Sequence, residues 1–515
     1  MLSDRFDSDD TDSSAVRSTG VARIILWSLL ALAVLASVAS LIAVVWSSSS
    51  NSSTNDMVTQ LLNTTTNLVA LNQALSARVG QIQSELDAIT QRCDTPIAPP
   101  PPQVVYEPSA ACGSVNQSSI PCAGVCSQAN LDRPRARDLG VPFSYPPGGV
   151  WNAITDVPGV LVGHSTLICN EGADAVRSGV TAILPRGIGG KAVAAGFYSL
   201  SGNGEMTGTH WIAESGCMMG PVVTTVTASV GTVLEAVTAY SISIQQQYPE
   251  WFNYLPVVSE TWSGALDSMD RLNVRAEHVQ QAIECAASSA VAEGSVGGGT
   301  GMRTFAFKSG IGTASRTVAA SATTNYTLGV IVQSNFGARF EATVAGVPVG
   351  EELLDVLLPI LHDPLTKQRV QYDPDANAAP LQPGDRSRVD GSFVCIIATD
   401  APLRPIELQR IARRASLGYS RTGGSGAVSS GDLFLAFSTA PGNCPEVGDN
   451  ETRPVNDYAM SMTPFFLATI DAVEEAIVNA LMAADDMIGV DGNVMFALPP
   501  EKLQEILRKY NRCNC

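Results

Sequence analysis

The stretch Ala292-Glu-Gly-Ser-Val-Gly-Gly-Gly-Thr-Gly-Met302 sets five glycines within eight residues, after a helical pattern and before a strand-like run that ends at Phe307. Glycine reaches positive φ without steric cost and lets a second group approach the backbone closely. Taken alone, such a segment reads equally as a flexible loop or an anion-binding turn. The Gly294–Ser295 bond inside it permits a sharper reading. In a strained, open backbone the Ser295 hydroxyl can attack the preceding carbonyl. An N→O shift followed by hydrolysis then leaves Ser295 as a new amino terminus. A free α-amine has a pKa of about 7.7–8. It can act as general base for its own hydroxyl near neutral pH, so no catalytic histidine is required.

Around this segment, residues 131–515 read as one long mixed domain. Val160–Val162, Thr181–Leu184, Val222–Val226, Leu328–Gln333, Phe393–Ala398 and Leu433–Phe437 are short β-rich runs bounded by turn residues and predict strands. Val274–Ala290, Ile406–Leu417, Phe465–Met487 and Glu501–Tyr510 carry helical spacing. No repeat at a solenoid period is present.

The chain ahead of this domain has a different texture. Ile24–Trp46 is apolar apart from three serines. As a helix it would span about 35 Å, against about 30 Å for a bilayer core. A cleaved signal peptide is the alternative. The length of the run, its late start and the lack of an A-x-A site favour a retained anchor. Arg17 and Arg23 precede it, and no Lys or Arg follows until Arg78. The positive-inside rule then leaves residues 1–23 cytoplasmic and everything after the span lumenal or extracellular, a single-pass type II arrangement. Acceptor tripeptides at Asn51, Asn63, Asn116, Asn325 and Asn450 agree with that side.

Residues 47–130 read as a stalk. Within 57–90, Leu61, Leu68, Leu75, Ile82 and Ile89 recur every seven residues, so a short coiled coil and a homo-oligomer are expected. A single amphipathic helix lying on the domain or the membrane is the other reading. Pro96 and Pro99–Pro102 end any helix there. The 11 cysteines fit an oxidising compartment. Cys93, Cys112, Cys122, Cys126, Cys513 and Cys515 are expected to form disulfides. Cys169, Cys217, Cys285 and Cys395 lie in apolar runs and are expected as buried thiols.

Composition removes several function classes. Lys+Arg 31 against Asp+Glu 49 gives a net charge of −18, which excludes an electrostatic nucleic-acid binder. Hydrophobic residues at 45% and charged ones at 16% exclude a mostly disordered chain. The four histidines, His164, His210, His278 and His362, are scattered, and Cys122-x3-Cys126 lacks a second pair. No metal site or cofactor is therefore expected. Walker A, strand–GxGxxG–helix and G-x-S-x-G patterns are absent.

Several motifs together resemble the D-aminopeptidase/esterase (DmpA) and β-peptidyl aminopeptidase family. They are Asn152-Ala-Ile-Thr-Asp-Val-Pro-Gly159 with Val162-Gly-His164, Val176-Arg-Ser-Gly-Val-Thr-Ala-Ile-Leu-Pro-Arg186, Gly202-Asn-Gly-Glu-Met-Thr-Gly208 and Glu293-Gly-Ser-Val-Gly-Gly-Gly-Thr-Gly301. Val332-Gln-Ser-Asn-Phe-Gly337, Ala398-Thr-Asp-Ala-Pro-Leu403 and Ser430-Gly-Asp-Leu-Phe-Leu-Ala-Phe437 follow in the expected order. The resemblance runs from about Arg133 to Tyr510.

It implies an α+β fold, an αββα sandwich layered like the N-terminal-nucleophile hydrolases. It also implies self-cleavage between Gly294 and Ser295, giving an α part ending at 294 and a β part of 295–515. Implied substrates are peptides, aminoacyl amides or esters with a free N-terminus. Carried over to this sequence, Ser295 is nucleophile and base, and Tyr198 lies near the acyl centre. Glu205 would hold the substrate ammonium, while Ser334 and Asn335 would donate hydrogen bonds.

One departure stands out. Asp267 occupies the place of an asparagine that donates to the oxyanion in the family. An ionised Asp cannot donate, so either the match is offset by a few residues or Asp267 lies outside the oxyanion hole, with Asn203 or a glycine-loop amide serving instead. The segments Thr366–Ser392 and Asn443–Asp457 are also longer than the resemblance implies and are expected to reshape the entrance. Two other functions remain open on sequence alone. One is a catalytically weakened surface interaction module. The other is an aminoacyl transferase working through the same acyl-enzyme.

Overall fold

The run Phe393-Val-Cys-Ile-Ile-Ala398 is apolar without a break, and the strand it forms is buried along its whole length. Strands of that kind need cover on both faces. In the computed structural model Phe393, Cys395 and Ile397 pack into a core shared with two long helices. Val394, Ile396 and Ala398 pack into a second core shared with another sheet. Side-chain alternation in one strand thus joins two layers.

The structure describes residues 122–249, 251, 255–363, 366–370, 372, 391–442, 444 and 461–513. The chain divides into units Met1–Gly113 and Ser114–Cys515, and all the described residues belong to the second. The expected membrane span, heptad segment and acceptor sites at Asn51, Asn63, Asn116 and Asn450 lie outside the described residues. So do Cys93, Cys112, Cys515 and most of the two longer segments. Among the described residues no helix is long and apolar enough to cross a membrane.

The strands of the two main sheets are β1 Val125–Cys126, β2 Leu161–Cys169, β3 Val176–Leu184, β4 Val193–Gly202, β5 Cys217–Met218 and β6 Val222–Val226. They continue with β7 Val257–Thr261, β8 Ile311–Ala319, β9 Asn325–Asn335, β10 Ser392–Thr399 and β11 Gly431–Ser438. The first sheet has the order β1-β2-β3-β6-β7 and the second β8-β9-β10-β11-β4-β5. Pairing is antiparallel except for β6 with β7 and β10 with β11. The helices longer than one turn among the described residues are α1 Thr209–Ser215, α2 Val230–Ser243, α3 Ala276–Glu284, α4 Pro405–Arg421, α5 Thr463–Met482 and α6 Pro500–Lys509.

Helices α2 and α3 cover the first sheet through Val233, Val237, Val279 and Ile283, which meet Val180, Ala182 and Val258. Helices α4 and α5 cover the second. Leu408, Ile411, Ala412, Ala415 and Tyr419 form the buried stripe of α4, with the three- and four-residue spacing of an amphipathic helix. The facing sides of the sheets share Val162, Ile183, Val222 and Val257 from one and Ile331, Val394, Leu433 and Phe437 from the other. The layer order is helix, sheet, sheet, helix.

Helix α5 carries buried Asp471, Glu475 and Asn479. Arg316, fully buried on β8, donates to Asp471 Oδ2 at 2.7 Å and to Glu475 Oε2 at 2.6 Å. Arg137 reaches Glu475 from the other side at 2.9 Å. Buried charges persist when paired and hydrogen-bonded.

The cysteine expectations need correction. Cys122 is bonded to Cys169, Cys126 to Cys285 and Cys217 to Cys444, with Cα separations of 5.9, 6.1 and 5.8 Å. Cys169, Cys217 and Cys285 are therefore not thiols. Each sits in or beside an element that the fold brings against a distant partner, within the Cα range a disulfide needs. Cys395, inside β10, is a free buried thiol. Cys513 is disulfide-bonded. The end of the expected stalk also differs, because Val125–Cys126 adds a strand to the first sheet, fastened by two of these bridges.

Candidate active site

The glycine segment is held between the two sheets, with Val296 packed into the core between them. Gly294 has φ +78°, and a Cβ there would lie 2.2 Å from the Ala483 carbonyl oxygen. Only glycine meets both conditions. The Gly294 amide donates to the Ile311 carbonyl at 2.7 Å, and the Ile311 amide donates back to the Gly294 carbonyl at 2.9 Å. That same carbonyl accepts the Val296 amide at 2.9 Å. Two backbone donors thus point at the oxygen of the Gly294–Ser295 peptide bond. Ser295 Oγ is buried and has no hydrogen-bond partner among the described residues.

Glu293 anchors the segment from the other side. Its carboxylate accepts from Arg135 Nη2 at 3.1 Å and from the Thr313 amide at 2.8 Å, and Arg135 Nε lies 2.8 Å from its other oxygen as an ion pair. Burial pushes the Glu293 carboxyl up, and Arg135 opposes that shift. Beyond Ser295 the chain tightens into a 3-10 turn, Gly297–Gly299. The Gly297 amide donates to Thr166 Oγ1 at 2.8 Å, and the Gly298 amide donates to Thr181 Oγ1 at 3.1 Å. A Cβ on Gly298 would lie 2.2 Å from Gln333 Oε1, so the turn sits directly on β2, β3 and β9.

Two buried bases border this turn, and sequence reasoning gave neither a role. His164 Nδ1 lies 3.0 Å from Thr181 Oγ1. Burial pushes its pKa down to about 4, so the imidazole is neutral at physiological pH. Lys308 Nζ donates to the carbonyls of Met302 at 3.0 Å and Ser309 at 2.5 Å. Burial lowers its pKa to about 7, against a raising influence from Asp485. His164 stood inside a quoted motif. Lys308 left no signal, because its burial depends on the hairpin that follows the glycine turn.

The other expected site residues are placed as follows. Tyr198 is on the helix-facing side of β4, its ring 6.2 Å from that of Phe434 and under the Arg413 guanidinium at 5.4 Å. Its neighbour Phe197 faces the core that holds Val296. The period of two thus sets Tyr198 on the opposite face of the sheet from the glycine segment. Ser334 Oγ lies 2.7 Å from Thr304 Oγ1. Asn335 Nδ2 donates to the Trp262 carbonyl at 2.9 Å, and its Oδ1 accepts the Arg303 amide at 3.0 Å. These bonds tie β9 to the turn after the glycine segment and to the end of β7.

Asp267 is buried and accepts the Arg177 amide at 2.9 Å and the Ser263 hydroxyl at 3.2 Å. Both of its oxygens are engaged as acceptors. Burial raises its pKa, and the Arg177 and Ser263 bonds oppose the rise.

Asn203 is exposed, and its Nδ2 donates to the Ser429 carbonyl at 2.7 Å. Glu205 follows on the same loop. Its amide donates to Glu260 Oε1 at 3.0 Å, and its carbonyl accepts the Ser259 hydroxyl at 2.8 Å. The Glu205 carboxylate is exposed and takes part in no hydrogen bond or ion pair among the described residues. Glu260 is buried, with its carboxyl pushed up by burial and further by the neighbouring Glu205 charge. It holds the loop that carries Glu205.

Two mixed sheets packed face to face between helical layers, with a serine behind a positive-φ glycine, define a hydrolase of the N-terminal-nucleophile type. Known proteins agree. Residues 152–495 match Peptidase family S58. The β-peptidyl aminopeptidase BapA of Sphingosinicella microcystinivorans is 46% identical over 395 residues, 75% of this chain and 94% of that protein. The solved L-aminopeptidase D-Ala-esterase/amidase of Ochrobactrum anthropi, described as a prototype for the serine aminopeptidases and a variant of the Ntn-hydrolase fold, superposes with a TM-score of 0.62. It is 39% identical, and the match covers 74% of this chain and all of that one. A Burkholderia sp. β-aminopeptidase superposes at 0.61 with 40% identity, over 73% of this chain and 99% of its own.

The chain belongs to peptidase family S58. It is a serine aminopeptidase of the N-terminal-nucleophile type, with the αββα architecture of that family.

Proposed function

We propose that this protein cleaves itself between Gly294 and Ser295 and then removes N-terminal residues, including β-amino residues, from peptides, amides or esters. The observation that carries the reading is the pair of amides, Ile311 and Val296, aimed at the Gly294 carbonyl beside the unpartnered Ser295 hydroxyl. In self-cleavage Ser295 Oγ adds to that carbonyl carbon, and the two amides stabilise the developing oxyanion. The C–N bond breaks as the departing nitrogen takes up the hydroxyl proton, leaving a Gly294 ester on Ser295. Water hydrolyses the ester to a Gly294 carboxylate and a free Ser295 hydroxyl. In turnover the Ser295 amine takes the Oγ proton as Oγ attacks the substrate carbonyl. The proton passes to the leaving amine, and water releases the acyl group. The β-amino class is suggested by the named activity of the BapA relative.

Gly294→Ala is expected to slow the appearance of fragments. A side chain at positive φ costs about 1–3 kcal/mol, which converts to roughly 5–150-fold in rate. Timed reducing gels of freshly made protein check this, and an unchanged rate contradicts it.

The Glu205 carboxylate is the proposed partner of the substrate ammonium. A charge-assisted bond of this kind contributes about 1.5–3 kcal/mol. Glu205→Gln should therefore lower kcat/KM for free-amine substrates by roughly 10–100-fold. The function itself is tested by hydrolysis of aminoacyl p-nitroanilides. Turnover of the free-amine substrate with none of its N-acetyl counterpart is expected. Equal turnover of both would refute an aminopeptidase, and no turnover of either would refute the proposed activity.

The remaining parts of the proposal rest on sequence. They are a type II anchor at Ile24–Trp46, self-association through the 57–90 segment, and glycans at the five acceptor sites. Asn325 is exposed at the start of β9, which suits a glycan.

A further inference from the structure

We propose that the Cys217–Cys444 disulfide is the covalent fastener that keeps the two halves of the processed enzyme together. The inference rests on the Gly294–Ser295 cleavage proposed above. Cys217 lies in β5 and Cys444 lies after β11, so the scissile bond falls between them in sequence. Of the bridges with both ends among the described residues, Cys122–Cys169 and Cys126–Cys285 join residues ahead of Ser295 and cannot link the halves, which leaves Cys217–Cys444.

In the uncut chain, Cys217–Cys444 closes a loop with a sequence separation of 227 residues. Cutting at Ser295 opens that loop, and the same bond becomes a link between two polypeptides. The bond is well placed to last. Cys217 and Cys444 are buried in the core that contains Trp251, Ala192 and Met219. Thiol exchange requires access to the sulfurs. The same corner is reinforced by Arg186, which donates to the carbonyls of Thr439 and Ala440 at 2.9 and 2.6 Å and to that of Ala192 at 3.1 Å.

In the folded enzyme the link is backed by the sheet. β4 from the first half pairs with β11 from the second along Ala194–Ser438 to Gly202–Gly431. Unfolding removes that pairing, and the disulfide then keeps the halves at one-to-one stoichiometry. A linked pair refolds as a unimolecular process, whereas separate fragments must find each other. The half that carries the nucleophile also stays joined to the half that carries Ile24–Trp46.

The test uses the purified full chain, with free thiols such as Cys395 alkylated during denaturation. One joined band without reductant and two fragments with reductant are expected. Two bands without reductant overturn the proposal. One band even with reductant removes the cleavage reading itself, and that outcome is distinct from failure of the fastener. In a Cys217→Ser, Cys444→Ser double variant, two bands without reductant are expected. A band that remains joined in that variant shows another bond to be the link and overturns the assignment. After unfolding in guanidinium without reductant and dilution, wild-type recovery of activity should be independent of protein concentration. Recovery that falls on dilution for the wild type contradicts the proposal.

Discussion

Ser295→Ala is expected to leave one uncut chain and to lower aminoacyl p-nitroanilide hydrolysis by about 10⁴-fold or more. The size of the effect follows from two losses at one atom. The hydroxyl begins self-cleavage, and the same hydroxyl later forms the acyl-enzyme. Without the cut there is no α-amine at residue 295, so the general base is lost as well. The neighbouring bases do not substitute. Burial makes His164 a weak base, with its Nδ1 beside Thr181, and Lys308 is bound to two carbonyls. The substitution should leave the fold intact, because Ser295 Oγ makes no hydrogen bond among the described residues. Reduced gels and initial rates read both consequences, and normal fragments from the variant would contradict the assignment.

Arg316→Met is expected to destabilise the protein by roughly 3–5 kcal/mol, the usual result of removing one partner from a buried ion pair. Arg316 holds Asp471 and Glu475 together and also donates to the carbonyls of Ser315 and Asp471 at 2.7 and 2.9 Å. Methionine fills the stem of the side chain but returns none of these bonds. Glu475 would keep Arg137 as its ion-pair partner, whereas Asp471 would be left buried with the Ser144 and Tyr145 amides and no cation in contact among the described residues. One of the ties between β8 and α5 is lost, on the same strand as Thr313, whose amide holds Glu293. A thermal unfolding midpoint well below that of the parent checks this. An unchanged midpoint would show that the network contributes nothing net.

Much of the fold is legible in the sequence where burial leaves a local pattern. Val222–Val226 forms a strand with the bounds read from its apolar run, and β10 extends the run Phe393–Ala398 by one residue at each end. β8 is not legible in this way. Its sequence Ile311-Gly-Thr-Ala-Ser-Arg-Thr-Val-Ala319 has little apolar alternation, since its polar side chains pair with Asp156, Asp471 and Glu475 across long sequence distances. Helix α3 ends at Glu284 rather than Ala290, where Cys285 is bonded to Cys126 and Ala287 pairs with Val162. Helix α5 ends at Met482 rather than Met487. There Arg133 donates to the Met482 carbonyl at 2.9 Å.

At the site, the glycine segment could be found because a cut before serine requires an unusual local composition. Glu293, Arg135, His164, Lys308 and Glu260 take their positions from tertiary contacts, so no spacing in the sequence announces them. Tyr198 shows the converse. It stands near the right loop in sequence, yet strand alternation turns it to the far face of the sheet.

The central claim is that the reactive end group is made by cutting the chain. N-terminal sequencing of the smaller fragment from active, reduced enzyme tests it most directly. The expected sequence is Ser-Val-Gly-Gly-Gly-Thr, beginning at Ser295. An active preparation that yields only an intact chain, or a fragment starting at another residue, would contradict the claim.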